Sequence, residues 1–282
     1  MATETTLTSA KAWSPDVTAV APDIAVPDAL ILATSTVAGS VEGDEPAVRA
    51  QYVDDATAGF VAEGATLSEA DPNLAEVLVY TGKVAQLIRL SREQWSQPNA
   101  AQLLSKSVAR AVTRAANLAY IAQVAPTSPA VTPPAGLLNV TGIVDGGAIA
   151  DSLDGLVDIL ATLATNLATP SHIVLSPTAW ASLRKFKTGT GYNSSLLGAG
   201  TSDVQPYLLD LPVIVDPAVP TGDGLVVDKT AVVSAVGQVM VATSDQFYFN
   251  SDSIGIRCTW RFGQNVVKPD RIAKFTVTDP DA

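Results

Sequence analysis

The chain has 282 residues, 47% apolar and only 16% charged, so it can bury a sizeable core and is not a disordered segment. One cysteine, Cys258, and one histidine, His172, exclude an internal disulfide, a cysteine-based zinc cage and a transition-metal cluster. The net charge of −11 falls within residues 1–80, with 13 acidic and 2 basic side chains, and the rest holds 15 of each sign, which disfavours a nucleic-acid reader.

The first residues, MATETTLTSAKAW, lack the basic start and apolar run of a signal peptide, and no stretch reaches the ~18 apolar residues of a membrane span. A soluble, non-exported protein is expected. Residues 1–48 are rich in Ala, Thr, Pro, Asp and Ser, and prolines at 15, 22, 27 and 46 disfavour helix and central strand alike. This predicts an extended arm with one apolar patch, ALILA at 29–33. Residues 49–64 and 74–91 lean to β-structure around the polar turn ATLSEADPN, which predicts a long hairpin. Its turn region carries Glu63, Glu69 and Asp71, too polar to pack on itself, and a lone hairpin is marginal in water.

Residues 97–123 predict a long helix, with Pro98 in the first turn, where its missing N–H costs nothing. Leu104, Val108, Ala111, Ala115, Leu118 and Ala122 recur at spacings of three and four as one apolar stripe. Lys106, Arg110 and Arg114 recur on nearly the opposite side, either as a solvated face or as a partner surface. The proline-rich loop at 125–139 predicts a domain boundary. A second helix is expected from about Ala150 to Asn166, with an apolar face of Leu153, Leu156, Val157, Leu160, Leu163 and Leu167. Asp145, Asp151, Asp154 and Asp158 crowd its start, where negative charge suits the helix dipole better than a metal. Residues 207–278 read mostly as strand. In IGIRCTWRF, Ile254, Ile256, Cys258, Trp260 and Phe262 share one face, so Cys258 is expected to be a small core residue.

The segment SHIVLSPTAWASLRKFK (171–187) holds the one candidate base. Ser-His-Asp chemistry would have to pair His172 with a serine such as Ser176, but no G-x-S-x-G elbow exists. The competing reading is structural: HIVL as a buried strand, Ser176 as an N-cap, Pro177 as the first helical residue and Gly189 as the stop. Neither KTGTGY nor LGAGTS is a phosphate cradle, and no calcium loop appears.

Taken together, the arm, the hairpin with its GFVAEG strand, KVAQLIRLS leading into a long Ala-rich helix, PPAGLLN opening a second region, IVLSPTAWASLRKFKTGTGY within it, and the closing FYFNSDSIGIRCTWRFGQNVVKPDRIAKFTV follow a known order. Across roughly residues 49–278 this order resembles the major capsid proteins of tailed bacteriophages, the Hong Kong 97 fold. The resemblance implies an α+β chain with an N-terminal arm (1–48), an extended E-loop hairpin (49–81) and an axial domain (134–237). A peripheral domain (82–133 with 238–282) would surround the spine helix. It also implies a major capsid (head) protein that self-assembles, as hexamers and pentamers, into an icosahedral shell enclosing double-stranded phage DNA. Such a protein belongs to the virion and assembles in the bacterial host cytoplasm. Implied partners are further copies, a portal, decoration proteins and a separate scaffold protein or none, with DNA packaged without sequence-specific binding and no membrane. No enzyme activity, cofactor or metal is implied.

The residues singled out for contact between subunits are Glu63, Glu69 and Asp71 on one copy and Lys106, Arg110 and Arg114 on the next. Residues 50–82 contain no lysine, so a covalent cross-link from the hairpin is not expected. Three other readings stand beside the capsid: an encapsulin-type nanocompartment shell, a cytoplasmic α/β hydrolase using His172, and a surface or tail adhesion module.

Overall fold

A computed structural model of the chain describes residues 17–53, 60–61, 74–97, 100–189, 193–197 and 206–280. The first part runs β1 (Val17–Val20), α1 (Pro22–Ala25), α2 (Leu30–Thr34), β2 (Thr36–Val41), β3 (Ala47–Val53), β4 (Leu74–Tyr80), β5 (Gly82–Ser91), α3 (Arg92–Trp95) and α4 (Ala100–Ala122). After the proline-rich loop come β6 (Val144–Ile149), α5 (Asp154–Thr165), β7 (His172–Leu175), α6 (Pro177–Lys185), β8 (Tyr207–Leu208), β9 (Leu211–Val215) and β10 (Asp223–Val227). The chain closes with β11 (Val232–Gly237), β12 (Val239–Tyr248), β13 (Ser253–Val266) and β14 (Ala273–Val277).

The alternation read in IGIRCTWRF builds β13, with Ile254, Ile256, Cys258, Trp260 and Phe262 all buried on one face. Along one side β13 pairs antiparallel with β5, from Ser253↔Ser91 to Phe262↔Gly82. Along the other it pairs with β12 and then β11, two strands that run as one line broken at Gln238. Trp260 Nε1 donates to the Gly237 carbonyl at 2.9 Å beside that break, so the buried indole leaves no orphan donor. β1, antiparallel to β12, and β2, parallel to β11, finish the first sheet.

Helix α4 covers the apolar face of this sheet, but its buried line differs from the expected stripe. Leu104, Val108, Val112, Ala116 and Tyr120 advance by four each time. Four residues exceed one 3.6-residue turn, so the line slants round the helix as an i±4 ridge does across a partner. Ala111, Ala115 and Leu118, expected inside, therefore face outward.

The arm is a larger departure. Residues 17–41 fold into the body of the same chain and do not extend away from it. Pro22 serves as the opening residue of α1, a position that suits proline. Val26, Ala29, Leu30 and Ile31 are buried in one core with Tyr120 and Trp260. Ala29 supplies no side-chain cap to α2; instead Asn117 of α4 accepts the Leu30 N–H at 2.9 Å. Thr34 Oγ1 lies 3.0 Å from the Tyr120 hydroxyl, and burial raises the Tyr120 pKa above the ordinary phenol value. Ser35 Oγ donates to Ser234 Oγ at 2.7 Å, fixing β2 against β11.

β3 and β4 form the hairpin, paired from Ala47↔Tyr80 to Val53↔Leu74. β5, expected to continue it, leaves for the first sheet. The hairpin roots through a small core of Val41, Ala50, Val79, Val233 and Ala235. Its root passes so close to β13 that a Cβ on Gly263 would stand 2.0 Å from the Tyr80 carbonyl, a place only glycine fills.

The second sheet has the order β6-β14-β10-β7-β9-β8. α5 and α6 pack on it through Leu156, Ile159, Leu163 and Leu183. α5 begins at Asp154 and not near Ala150, because Asp151 adopts φ 60 and breaks the helical path. Its inner face takes Ile159, whereas Val157 and Leu167 are exposed. Leu167, at φ 57, closes the helix with Ala168 N–H bonded to the Leu163 carbonyl, a Schellman end built on leucine. Two segments cross the expected boundary between domains. β11, placed with the second region, pairs in the first sheet, and β14, placed with the first, pairs in the second.

Candidate assembly surface

His172 opens β7, half-buried, with Nδ1 3.1 Å from Ser171 Oγ. Burial first, and then Lys229, holds its imidazole below the usual range. Ser176 Oγ accepts the N–H groups of Ala179 and Gly222, each at 3.1 Å, and so caps α6 and ties it to the loop before β10. Four residues of strand separate His172 from Ser176 by about 13 Å. The serine has no base, and the N-cap reading holds. α6 ends at Lys185 with Phe186 as cap, ahead of the expected stop at Gly189. Cys258 is buried, which raises its thiol pKa, so its place is in the core. Asp145 Oδ1 accepts the Gly147 N–H at 3.0 Å and Asp154 sits in the first turn of α5. No group of three metal-ligating side chains gathers among the described residues.

Charge is organised at the hairpin root. Asp44 bonds Lys83 at 2.6 Å and lies 3.6 Å from Arg261 Nε. The Lys83 hydrogen bond, above all, holds the Asp44 carboxyl below its usual range. Arg261 Nη1 donates to the Glu45 carbonyl at 2.9 Å and to Thr81 Oγ1 at 2.7 Å. These two acceptors stand where the chain enters β3 and leaves β4, so one guanidinium clamps both ends of the hairpin.

The outer face of α4 presents the basic row. Lys106, Arg110 and Arg114 are all exposed, with no ion pair to any described residue. Leu103 and Leu118, both more than half exposed, flank the row. Glu63, Glu69 and Asp71 lie outside the described residues. Two features escaped the sequence reading. One is a cleft of about 420 Å³ between the first half of α4 and the first sheet, with Val20, Ile24, Trp95, Val108 and Cys258 in its walls and Lys106 at its lining. The other is Phe60, fully exposed in the segment joining β3 to β4. No local signal in GFVAEG marks Phe60 as displayed, and nothing in the sequence located the cleft.

A family model described as "Phage capsid family" matches residues 28–277. Among solved structures, a chain from Gordonia phage Cozz superposes with a TM-score of 0.66 at 15% identity, covering 96% of this chain and 90% of that one. A chain from Mycobacterium phage Bobi gives a TM-score of 0.65 at 16% identity, covering 89% and 90%. The capsid of an empty GTA particle gives 0.62 at 15% identity, covering 99% and 95%. No curated protein sequence matches the chain. At these identities the structural likenesses establish a shared fold, and the family match, spanning most of the chain, does the rest.

Proposed function

This chain belongs to the phage capsid family, and from that premise we propose how its copies are organised and held together. It is a major capsid protein of the Hong Kong 97 type, a structural subunit that self-assembles into the shell of a virion. In the proposed organisation β3 and β4 form the E-loop and α4 is the spine of a peripheral domain built on the first sheet. The second sheet with α5 and α6 is the axial domain, gathered around five-fold and six-fold axes as pentamers and hexamers. Sheet membership then moves the boundary of the axial domain from 237 to near 228 and gives it β14. The shell is icosahedral, encloses double-stranded DNA without reading its sequence, and assembles in the host cytoplasm with a portal, decoration proteins and a separate scaffold protein. The subunit works as a building block and not as an enzyme, since His172 and Ser176 each serve local structure.

The observation that carries the contact model is the unmatched charge on α4. Three exposed cations stand without an ion-pair partner among the described residues, while residues 54–73 contain five acidic side chains and no basic one. Glu63, Glu69 and Asp71 of one copy meet Lys106, Arg110 and Arg114 of the next. Exposed pairs contribute only about 0.2–1 kcal/mol each, so they set register while apolar area supplies strength. Negative-stain microscopy tests the reading: closed particles, formed by the purified protein alone or with its scaffold protein co-expressed, support it, and a persistent monomer under both conditions refutes it. Reversing Arg110 and Arg114 to Glu should weaken assembly and reduce its salt dependence. Unchanged assembly and unchanged salt sensitivity would remove these two residues from the interface.

A further inference from the structure

The geometry points to a knob-and-hole contact between copies: Phe60 of one chain seats in the apolar cleft beside α4 of the next. The inference rests on the shell-forming reading above and names the surface that reading leaves unspecified. Phe60 is fully exposed, and Val61 after it is exposed too. A buried aromatic side chain removes ~150–250 Å² from water, so an aromatic held wholly in solvent is an unused source of association energy. Across the molecule, the cleft is walled by apolar groups from α1, α3, α4 and the first sheet, and at about 420 Å³ it has room for a benzyl group and the valine that follows.

Phe60 cannot be assigned to the cleft of its own chain without passing round the sheet. In β11, Val232 and Val236 join the core under α4, whereas Val233 and Ala235 pack with Ala50 and Val79 of the hairpin. Alternate residues of a strand point to opposite faces. The hairpin is therefore rooted on one face of the first sheet and the cleft opens on the other. A knob on one face and a hole on the opposite face make a head-to-tail contact, which propagates from copy to copy and closes into rings when the rotation allows.

Charge agrees with this seating. Lys106 lines the cleft, and Arg110 and Arg114 continue along α4 from it. Asp54, Asp55 and Glu63 flank Phe60 in sequence. Lys106, Arg110 and Arg114 offer cations on three consecutive helical turns without an ion-pair partner among the described residues, and the sequence around Phe60 is acidic. Apolar fit and charge fit then select the same neighbour.

The test is a cysteine pair in a chain whose native thiol is removed. Phe60→Cys and Ser105→Cys are combined with Cys258→Ala, particles are assembled, oxidised mildly and run on a non-reducing gel. Because each chain has one knob and one hole, a covalent ladder extending beyond dimers is expected, and neither single cysteine should extend past a dimer. Particles without a ladder overturn the contact and leave the capsid reading intact. A fast-migrating monomer with an internal disulfide also overturns it. If the unaltered chain forms no particles either alone or with its scaffold protein co-expressed, the capsid reading itself fails. Phe60→Ala in the native background gives a second measurement, should the paired variant not assemble. The concentration needed for assembly should rise at least tenfold, and an unchanged value overturns the proposal.

Discussion

Arg261→Met removes the clamp at the hairpin root while keeping most of the apolar stem. In the folded chain Arg261 donates to the Glu45 carbonyl at 2.9 Å and Thr81 Oγ1 at 2.7 Å, and its side chain is only 19% exposed. Hydrogen bonds to a charged group contribute about 1.5–3 kcal/mol each. Thr81 Oγ1 keeps its own bond to the Glu45 carbonyl at 2.5 Å, so part of the junction survives. The expected loss is about 2–4 kcal/mol of hairpin docking, which corresponds to about 30- to 1,000-fold in the closed-to-open ratio. The second sheet shares none of these bonds and should be unaffected. Hydrogen exchange on unassembled subunits measures this directly. Amide protection across β3 and β4 should fall by that factor, while β7 and β10 keep theirs. Equal loss in both sheets, or no loss in the hairpin, refutes the assignment of Arg261 as a local clamp.

Asn117→Ala should destabilise the subunit by about 2–3 kcal/mol, because it strands the buried Leu30 N–H and removes the donor that meets Asp216 Oδ2 at 2.8 Å. Urea denaturation gives the magnitude, and limited proteolysis should cut residues 17–41 first. Gly263→Ala sets a methyl 2.0 Å from the Tyr80 carbonyl, so the hairpin must leave its seat and the variant should be largely insoluble or open to protease at β4. Tyr120 has a raised pKa because burial disfavours the phenolate. Its contribution is intact below the unfolded value of about 10 and is lost as pH rises beyond it. Denaturant midpoints between pH 8 and 11 should fall steeply above about pH 10 in the native chain and less steeply in Tyr120→Phe.

Much of this architecture could be read from residue order because local patterns and tertiary packing agree. The alternation from Ile254 to Phe262 predicts a half-buried strand, and Ser176 with Pro177 predicts a helix start; the folded chain uses both as read. The failures share a cause in long-range partners. Prolines at 22 and 27 argue for an extended arm only if their neighbours have nothing to pack against. Asn117, Tyr120 and Ser234 provide those partners from 86 to 199 residues away. The inward face of α4 departs from the expected stripe for a similar reason, since a slanted crossing over the sheet replaces a straight stripe with an i±4 ridge. The cleft near Cys258 was not legible at all, because its walls come from three helices and three strands that only the fold brings together. The charged contacts between copies remain a proposal drawn from residue counts, an acidic segment facing a basic helix face.

The distribution of packing decides which part of the subunit can adapt. Val174, Leu225 and Val227 of the second sheet lie in the same core as Trp260, Tyr120 and Leu30, so the two sheets and the docked N-terminal segment behave as one body. The hairpin has a separate, much smaller core of five residues and a polar clamp. Local opening free energy follows buried apolar contact, so the hairpin root resists a change of angle less than the two-sheet body does. In the proposed organisation one sequence occupies both five-fold and six-fold surroundings, which requires at least one contact to vary in direction. A rigid body with a variable hairpin meets that requirement if the far end of the hairpin is anchored by a pocket and by charge, because a seated ring tolerates rotation at the root without losing its buried area. In the proposed contact Phe60 of the hairpin and Arg261 of β13 then have opposite duties: one holds the neighbour, and the other limits how far the hairpin that reaches it can swing.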